Sequence, residues 1–329
     1  MVRSIFPHRV GRVALAGCNV VMLIVLGLAI EPQASATETV TIAAAGDIAC
    51  KPQGDYFDGS NPDACQFRET ASAIQSEIDA GTVQAVVALG DTQYSSGTTY
   101  QYNNSYHLSW GSFRSSTRPA AGNHEWLTPM AGGFFDYFSS TTPQIAPGRY
   151  YYSYDLGAWH VIVLDSDCSN LPGPPSNPDN GCVPGSPQME WLEQDLTSSS
   201  ALCTLAYWHH PVFSSAESGY NAKTLPFWRA LYAAGVDVVL NGHRHVYERF
   251  RPQRPDGRRD NAEGIVEFVV GSGGADHGDL QSGLAPNEVV RDNSSFGYLR
   301  LSLDASTYSY RFVPVAGSTF TDSGSARCH

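Results

Sequence analysis

The sequence predicts an α/β layered protein built on a mixed sheet or a two-sheet sandwich. Three observations lead there. Short β-branched or apolar runs alternate with helix-forming stretches as far as Leu240. Further strand signals at Tyr150 to Asp155, Ile265 to Val270 and Leu299 to Val313 lie more as runs of strands, which disfavours a purely parallel sheet. No repeat and no charged block marks a long linker, so residues 37–329 read as a single domain.

In chain order, Val40 to Ala45 has the composition of a buried strand, and Gln66 to Ala80 reads as a helix stopped by Gly81. Val83 to Leu89 is the next buried strand. Tyr150 to Asp155 and Trp159 to Leu164 follow as strands. Leu171 to Pro187 is dense in Pro, Gly, Ser and Asn and is therefore a loop, with Cys168 and Cys182 placed to tie its ends. Gln188 to Leu196 is helical, Leu202 to Trp208 a strand, Leu225 to Ala234 a helix stopped by Gly235, and Val236 to Leu240 a strand. Ile265 to Val270 and Leu299 to Val313, the latter broken by a turn near Asp304 to Ser306, complete the strands.

Ahead of this domain, Arg3, Arg9 and Arg12 precede an apolar run from Val13 to Ile30 and then Ala34-Ser35-Ala36, the order of a secretory signal peptide cleaved after Ala36. The run also reaches the ~17 to 25 residues of a bilayer span, but the cleavage motif favours a leader and a secreted product. Leu15-Ala16-Gly17-Cys18 resembles a lipoprotein box, yet the strongest apolar segment follows Cys18 instead of preceding it. Cleavage would leave Cys50, Cys65, Cys168, Cys182, Cys203 and Cys328, an even set that suits disulfides in an oxidising compartment. Proximity pairs Cys50 with Cys65 and Cys168 with Cys182, leaving Cys203 for Cys328. No CxxC pair supports a zinc finger.

The whole chain has 20 basic and 32 acidic residues, and Lys51 and Lys223 are its only lysines. Loss of Arg3, Arg9, Arg12 and Glu31 with the leader takes the net charge to 17 − 31 = −14. That argues against a general nucleic-acid binder, which needs a basic footprint. It does not exclude a phosphate substrate, because bound cations reverse the local field.

The ends of the strands carry the chemistry. Gly46 leads into Asp47, Gly90 into Asp91, Gly122 into Asn123 and His124, Trp208 into His209 and His210, and Gly242 into His243 and His245. Ligands of α/β sheets bind at the carboxyl ends of strands, so the five ends are expected to converge on one crevice. Two Asp, one Asn and three His are too many donors for one small cation, and their mixture of hard oxygen and imidazole suits iron, zinc or manganese. Two metals ~3.5 to 4 Å apart, bridged by a carboxylate, fit the count and suit in-line displacement at phosphorus.

These residues resemble the calcineurin-like metallophosphoesterase superfamily and, within it, the purple acid phosphatases. Gly90-Asp91-Thr92-Gln93-Tyr94 follows the GDxxY block, Gly122-Asn123-His124-Glu125 the GNH[DE] block, and Gly242-His243-Arg244-His245-x-Tyr247-Glu248-Arg249 the GHxHxYER block. Gly46-Asp47 and His209-x-Pro211 fit the remaining two. The resemblance implies a four-layer α/β/β/α sandwich with two mixed sheets. It also implies Asp47, Asp91, Tyr94 and His245 around a first metal, with Asp91 bridging to a second held by Asn123, His209 and His243. Tyr94 would favour Fe(III) at the first site, leaving Zn, Fe or Mn for the second. The other reading of Tyr94 is packing beside Tyr100, Tyr102 and Tyr106. His124 would stabilise the phosphoryl transition state or protonate the leaving oxygen. The implied activity is hydrolysis of phosphate monoesters by a metal-bound hydroxide. A phosphodiesterase or nucleotidase on the same site is the alternative, and a non-catalytic binding protein that kept the fold is the rival from another class. The expected partner is a phosphorylated small molecule, with no specific nucleic acid and no stable membrane association after cleavage.

There are departures. Plant members carry a histidine ten residues beyond the fourth-block ligand, where this chain has Gly219, so His210 is the candidate substrate contact if its ring turns inward. Ala49 replaces a usual glycine. His160, in an apolar strand, is expected to be core. His277 belongs to a glycine-rich loop and either lines the pocket or faces solvent. The arginines at 244, 249, 251, 254, 258 and 259 form either a solvated loop or a rim attractive to phosphate.

Overall fold

A computed structural model describes residues 38–216, 221–315 and 317–329; the leader with its cleavage site, and Gly219, lie outside the described residues. The elements in order are β1 (Val40–Ala45), α1 (Phe67–Asp79), β2 (Ala85–Leu89), α2 (Thr99–Asn104), β3 (Thr117–Ala120), α3 (Gly132–Phe138), β4 (Tyr152–Leu156), β5 (Trp159–Val163), α4 (Pro187–Ser198), β6 (Cys203–Tyr207), α5 (Leu225–Ala233), β7 (Val238–Asn241), β8 (Tyr247–Phe250), β9 (Val266–Val270), β10 (Glu288–Asp292), β11 (Gly297–Leu303), β12 (Thr307–Pro314) and β13 (Ser323–Arg327).

The strands form two mixed sheets, ordered β13-β12-β11-β1-β2-β3 and β10-β8-β9-β7-β6-β5-β4. In the first, β1, β2 and β3 run parallel, whereas β11, β12 and β13 add antiparallel neighbours. In the second, β5, β6, β7 and β9 are parallel and the flanking pairs antiparallel. Helix-containing crossovers join β1 to β2, β2 to β3, β5 to β6 and β6 to β7; the antiparallel parts come from the β4–β5 hairpin and from the run of strands late in the chain.

Side-chain alternation divides the second sheet between two cores. Val161, Val163, Leu205, Tyr207, Val238, Leu240, Phe268 and Val270 pack with the first sheet's Ile42, Val87, Leu299 and Leu301. Their neighbours Ile162, Ala206, Val239 and Val269 face Met189 and Leu192 of α4 and Phe227, Trp228 and Leu231 of α5. Helix α1 adds Phe67, Ala71 and Ile74 to the first core. The result is the α/β/β/α order expected from the resemblance.

The three expected helices are present to within a few residues of their expected ends. Ser186 caps α4 by accepting a hydrogen bond from the Met189 N–H, with Pro187 at its first position. Strands β8, β10 and β13 and the short helices α2 and α3 were outside the expectation. Disulfides join Cys50–Cys65, Cys168–Cys182 and Cys203–Cys328, the pairing that proximity favours. No helix of the described residues is long and apolar enough to cross a membrane.

Candidate metal centre

The two sheets meet at the carboxyl ends of their central strands. Gly46, just past β1, donates its N–H to the Val270 carbonyl at the end of β9 at 2.9 Å. A Cβ on Gly46 would lie 3.3 Å from the Gly242 Cα, which follows β7. Such close backbone approach is what the strand-end glycines permit. At Gly90 (φ 84°) a Cβ would stand 2.6 Å from His209 Nδ1, and at Gly122 it would stand 2.3 Å from Asp91 Oδ1. Asp47, Asp91, His243 and His245 have φ of 59°, 44°, 73° and 49°. Four non-glycine residues in this sparsely populated region mark a site whose side-chain directions the surrounding fold over-determines.

Six of the seven expected donors come within hydrogen-bond distance of one another. Tyr94 Oη lies 2.9 Å from Asp47 Oδ1, 3.2 Å from Asp91 Oδ2 and 2.8 Å from His245 Nε2. His245 Nε2 is 3.1 Å from Asp47 Oδ1. On the other side of Asp91, His209 Nε2 approaches Oδ2 to 3.1 Å and His243 Nδ1 stands 3.3 Å from His209 Nε2. Asp91 thus lies between the two halves. Its Oδ1 accepts the His124 N–H at 2.8 Å, and Asp47 Oδ2 accepts the His243 N–H at 2.7 Å, so both carboxylates are fixed by backbone donors. Asn123 Oδ1 is buried with no hydrogen-bond partner among the described residues.

This donor set fits cations. His209 Nδ1 faces the Leu89 carbonyl at 2.9 Å and His245 Nδ1 faces the Asp276 carboxylate. Each Nδ1 therefore holds a proton, so Nε2 is the nitrogen turned toward the carboxylates and the one a cation would take. Tyr94 Oη, Asp47 Oδ1, Asp91 Oδ2 and His245 Nε2 thus bring four ligand atoms together, and the buried Asn123 Oδ1 has no hydrogen-bond partner among the described residues. A buried acceptor without a donor is costly, and a cation would satisfy it.

With no cation present, the carboxylates draw protons onto the neighbouring imidazoles instead. Burial opposes a charge on His209, but Asp91 beside it prevails and pushes its pKa up to about 9. Burial likewise opposes His245, yet Asp47 and Asp276 carry it up to about 11. Burial, and then Asp47 and Asp91, push the Tyr94 phenol well above its ordinary range. A bound cation would reverse that logic by stabilising the phenolate. Burial, reinforced by His209, pushes His210 down to about 3, and the same pair of causes pushes His243 down as well.

The two histidines expected to meet substrate flank the cluster, His124 part-exposed and His210 more deeply set. His124 is 30% exposed, its Nε2 3.8 Å from Asp91 Oδ2 and its Nδ1 2.6 Å from the Ser95 carbonyl. His210 does turn inward: its ring centroid is 4.2 Å from that of His243, and its Nδ1 lies 2.9 Å from Ser166 Oγ. His160 is core, spanning Asp155 at 2.9 Å and Asp195 at 2.8 Å. His277 stacks on Phe296 with centroids 4.0 Å apart. The arginines do not act as one group. Arg249 is held by Asp322 at 2.7 and 3.0 Å, whereas Arg254 and Arg258 flank Asp256 at 4.0 and 3.8 Å on an exposed loop.

Sequence reading missed the supports. Glu125 accepts from the Gly122 N–H at 2.8 Å, from the Gln93 N–H at 3.2 Å and from Thr92 and Tyr102 at 3.1 Å, stitching the loop after β3 to the loop after β2. Burial, and then the nearby Asp91 charge, push its pKa up to about 7. The fourth position of the GNH[DE] block carried that signal. Asp276 and Ser166 had none, because their partners lie far away in sequence.

The family model for calcineurin-like phosphoesterases matches residues 40–247. The chain belongs to this family. Purple acid phosphatase 22 of Arabidopsis thaliana is 24% identical over 263 residues, which cover 71% of this chain and 55% of that protein. Purple acid phosphatase 1 of Ipomoea batatas is 30% identical over 219 residues, 60% of this chain and 44% of that one. The chain spans about half the length of the relatives it matches. Among solved structures, the purple acid phosphatase PPD1 from yellow lupin (Lupinus luteus) seeds superposes with a TM-score of 0.66 at 19% identity, over 88% of this chain and 54% of that one. GAP50, the anchor in the inner membrane complex of Plasmodium, superposes with a TM-score of 0.62 at 14% identity, over 86% and 88%. At these identities the structural likeness shows the fold. Within the calcineurin-like phosphoesterase family, the tyrosine-bearing GDxxY loop and these sequence relatives make the chain similar to the purple acid phosphatases.

Proposed function

We propose that this protein is an exported, purple acid phosphatase-like hydrolase of phosphate monoesters. The observation that carries the reading is the cluster of carboxylate, phenol and imidazole ligand atoms centred on Asp91. The residues that would hold the metals are Asp47, Asp91, Tyr94 and His245 for the first, taken as Fe(III), and Asp91, Asn123, His209 and His243 for the second, taken as Zn, Fe or Mn. When bound, two such cations supply Lewis acidity toward phosphoryl oxygens and lower the pKa of water.

The chain's own residues do the rest. Asp91 is clamped by the His124 N–H and Asp47 by the His243 N–H, so the carboxylates stay in place as charge redistributes. His124, partly exposed at the rim, is placed to meet the leaving oxygen; its Nδ1 proton is committed to the Ser95 carbonyl, which directs Nε2 inward. His210 lies alongside His243 and is assigned to a phosphoryl oxygen of the substrate. Three disulfides and the leader-like N-terminal segment support export, with cleavage after Ala36.

The test compares kcat/KM for 4-nitrophenyl phosphate with that for its bis ester. Preference for the monoester supports this assignment, and preference for the diester replaces it with a phosphodiesterase. The rival reading, a non-catalytic binding protein that kept the fold, predicts missing metal ligands, and none of the seven assigned positions is missing. Turnover of neither ester by protein carrying two metals would favour that rival.

A further inference from the structure

From the geometry we infer that Asp276 is a positioning residue for the first metal, acting through His245; this rests on the dinuclear reading above. The two nitrogens of His245 face different groups. Nε2 points into the cluster at Asp47 Oδ1 and Tyr94 Oη, and Nδ1 points outward to the Asp276 carboxylate. A carboxylate on Nδ1 fixes the tautomer and ring orientation and makes Nε2 a stronger donor.

The segment bearing Asp276 is built to hold it there. Ala275 donates its N–H to the Asp47 carbonyl at 3.0 Å and accepts the Cys65 N–H at 2.7 Å. Two residues further on, Gly278 donates to the His245 carbonyl at 3.0 Å. A Cβ at Gly278 would lie 2.2 Å from the Arg244 carbonyl oxygen, so glycine permits the approach. Asp276 therefore sits between two backbone anchors, one on the Asp47 loop and one on the His245 loop, beside the Cys50–Cys65 disulfide. His209, by contrast, has its Nδ1 proton taken by a backbone carbonyl that no side-chain substitution removes. The two halves of the centre thus differ in how their histidines are oriented.

The experiment measures bound metal by elemental analysis and the rate of metal loss to a chelator, for wild type, Asp276→Ala, Asp276→Asn and His245→Ala, with circular dichroism as the check on folding. The expected result is two metals in wild type, with one of the two lost about 10- to 100-fold faster from Asp276→Ala and the other unchanged. Asp276→Asn keeps an acceptor without the charge and should fall between the two. His245→Ala should lose the same metal outright. If Asp276→Ala does not fold, Asp276→Asn alone decides the matter. Folded variants that release both metals at the wild-type rate would overturn the assignment. Wild-type protein that takes up no metal would overturn the dinuclear reading itself, and this assignment with it.

Discussion

At the scale of the residue, the centre depends on a few side chains whose removal should separate function from folding. Asp91→Ala removes the carboxylate between the two halves, and His243→Ala removes one imidazole from the second. Each should lower kcat on 4-nitrophenyl phosphate by at least about 1,000-fold with an unchanged circular dichroism spectrum, as expected for groups that act as a unit. Undiminished turnover in either variant would refute the assignment. A second prediction concerns Asp165, whose pKa burial pushes up to about 7 from 3.8. The folded protein then binds more protons than the unfolded chain between these values, so this group makes stability fall as pH rises from about 4 through 7 and level off above. Thermal melts of wild type and Asp165→Asn should coincide near pH 4 and separate toward pH 8, with the variant the more stable; a gap independent of pH would contradict this. The residues proposed to hold the metals were legible from sequence because each belongs to a motif that follows a strand end. Asp276 was not, since what places it is backbone pairing to a loop thirty or so residues away, and no local pattern encodes that pairing.

Elements bring these residues together, and their turns matter more than their lengths. Gly122→Ala would put a methyl group on the Asp91 side chain and backbone, where the nearest atoms stand at 2.3 and 2.4 Å. The variant should fold but bind less metal, measured as equivalents per chain; full loading would show that the loop yields. Ser186→Ala should cost about 1 kcal/mol in thermal stability through loss of the α4 cap while leaving kcat untouched. The parallel strands were readable because burial on both faces leaves continuous apolar runs such as Val238–Leu240. Strand β13, Ser323-Gly-Ser-Ala-Arg327, was not, because as an edge strand it needs little apolar character and its pairing with β12 is settled by the fold. Helices α2 and α3, of six and seven residues, are too short for a period to show.

For the molecule as a whole, two sheets are held back to back with every chemical group at one end. The Cys203–Cys328 disulfide lies elsewhere: Cys203 opens β6, whereas His209 follows its far end. It spans a sequence separation of 125, so replacing both cysteines by serine should cost about 2 to 5 kcal/mol in stability yet preserve turnover below the new melting temperature. In the proposed function, cations at the Asp91 centre would reconcile a strongly acidic chain with an anionic substrate. That is the central claim, and phosphate release from 4-nitrophenyl phosphate by metal-loaded and chelated protein tests it most directly. Turnover that disappears on chelation and returns on adding back iron and zinc is the predicted result. Turnover that survives complete metal removal, or none from protein carrying two metals, would contradict it.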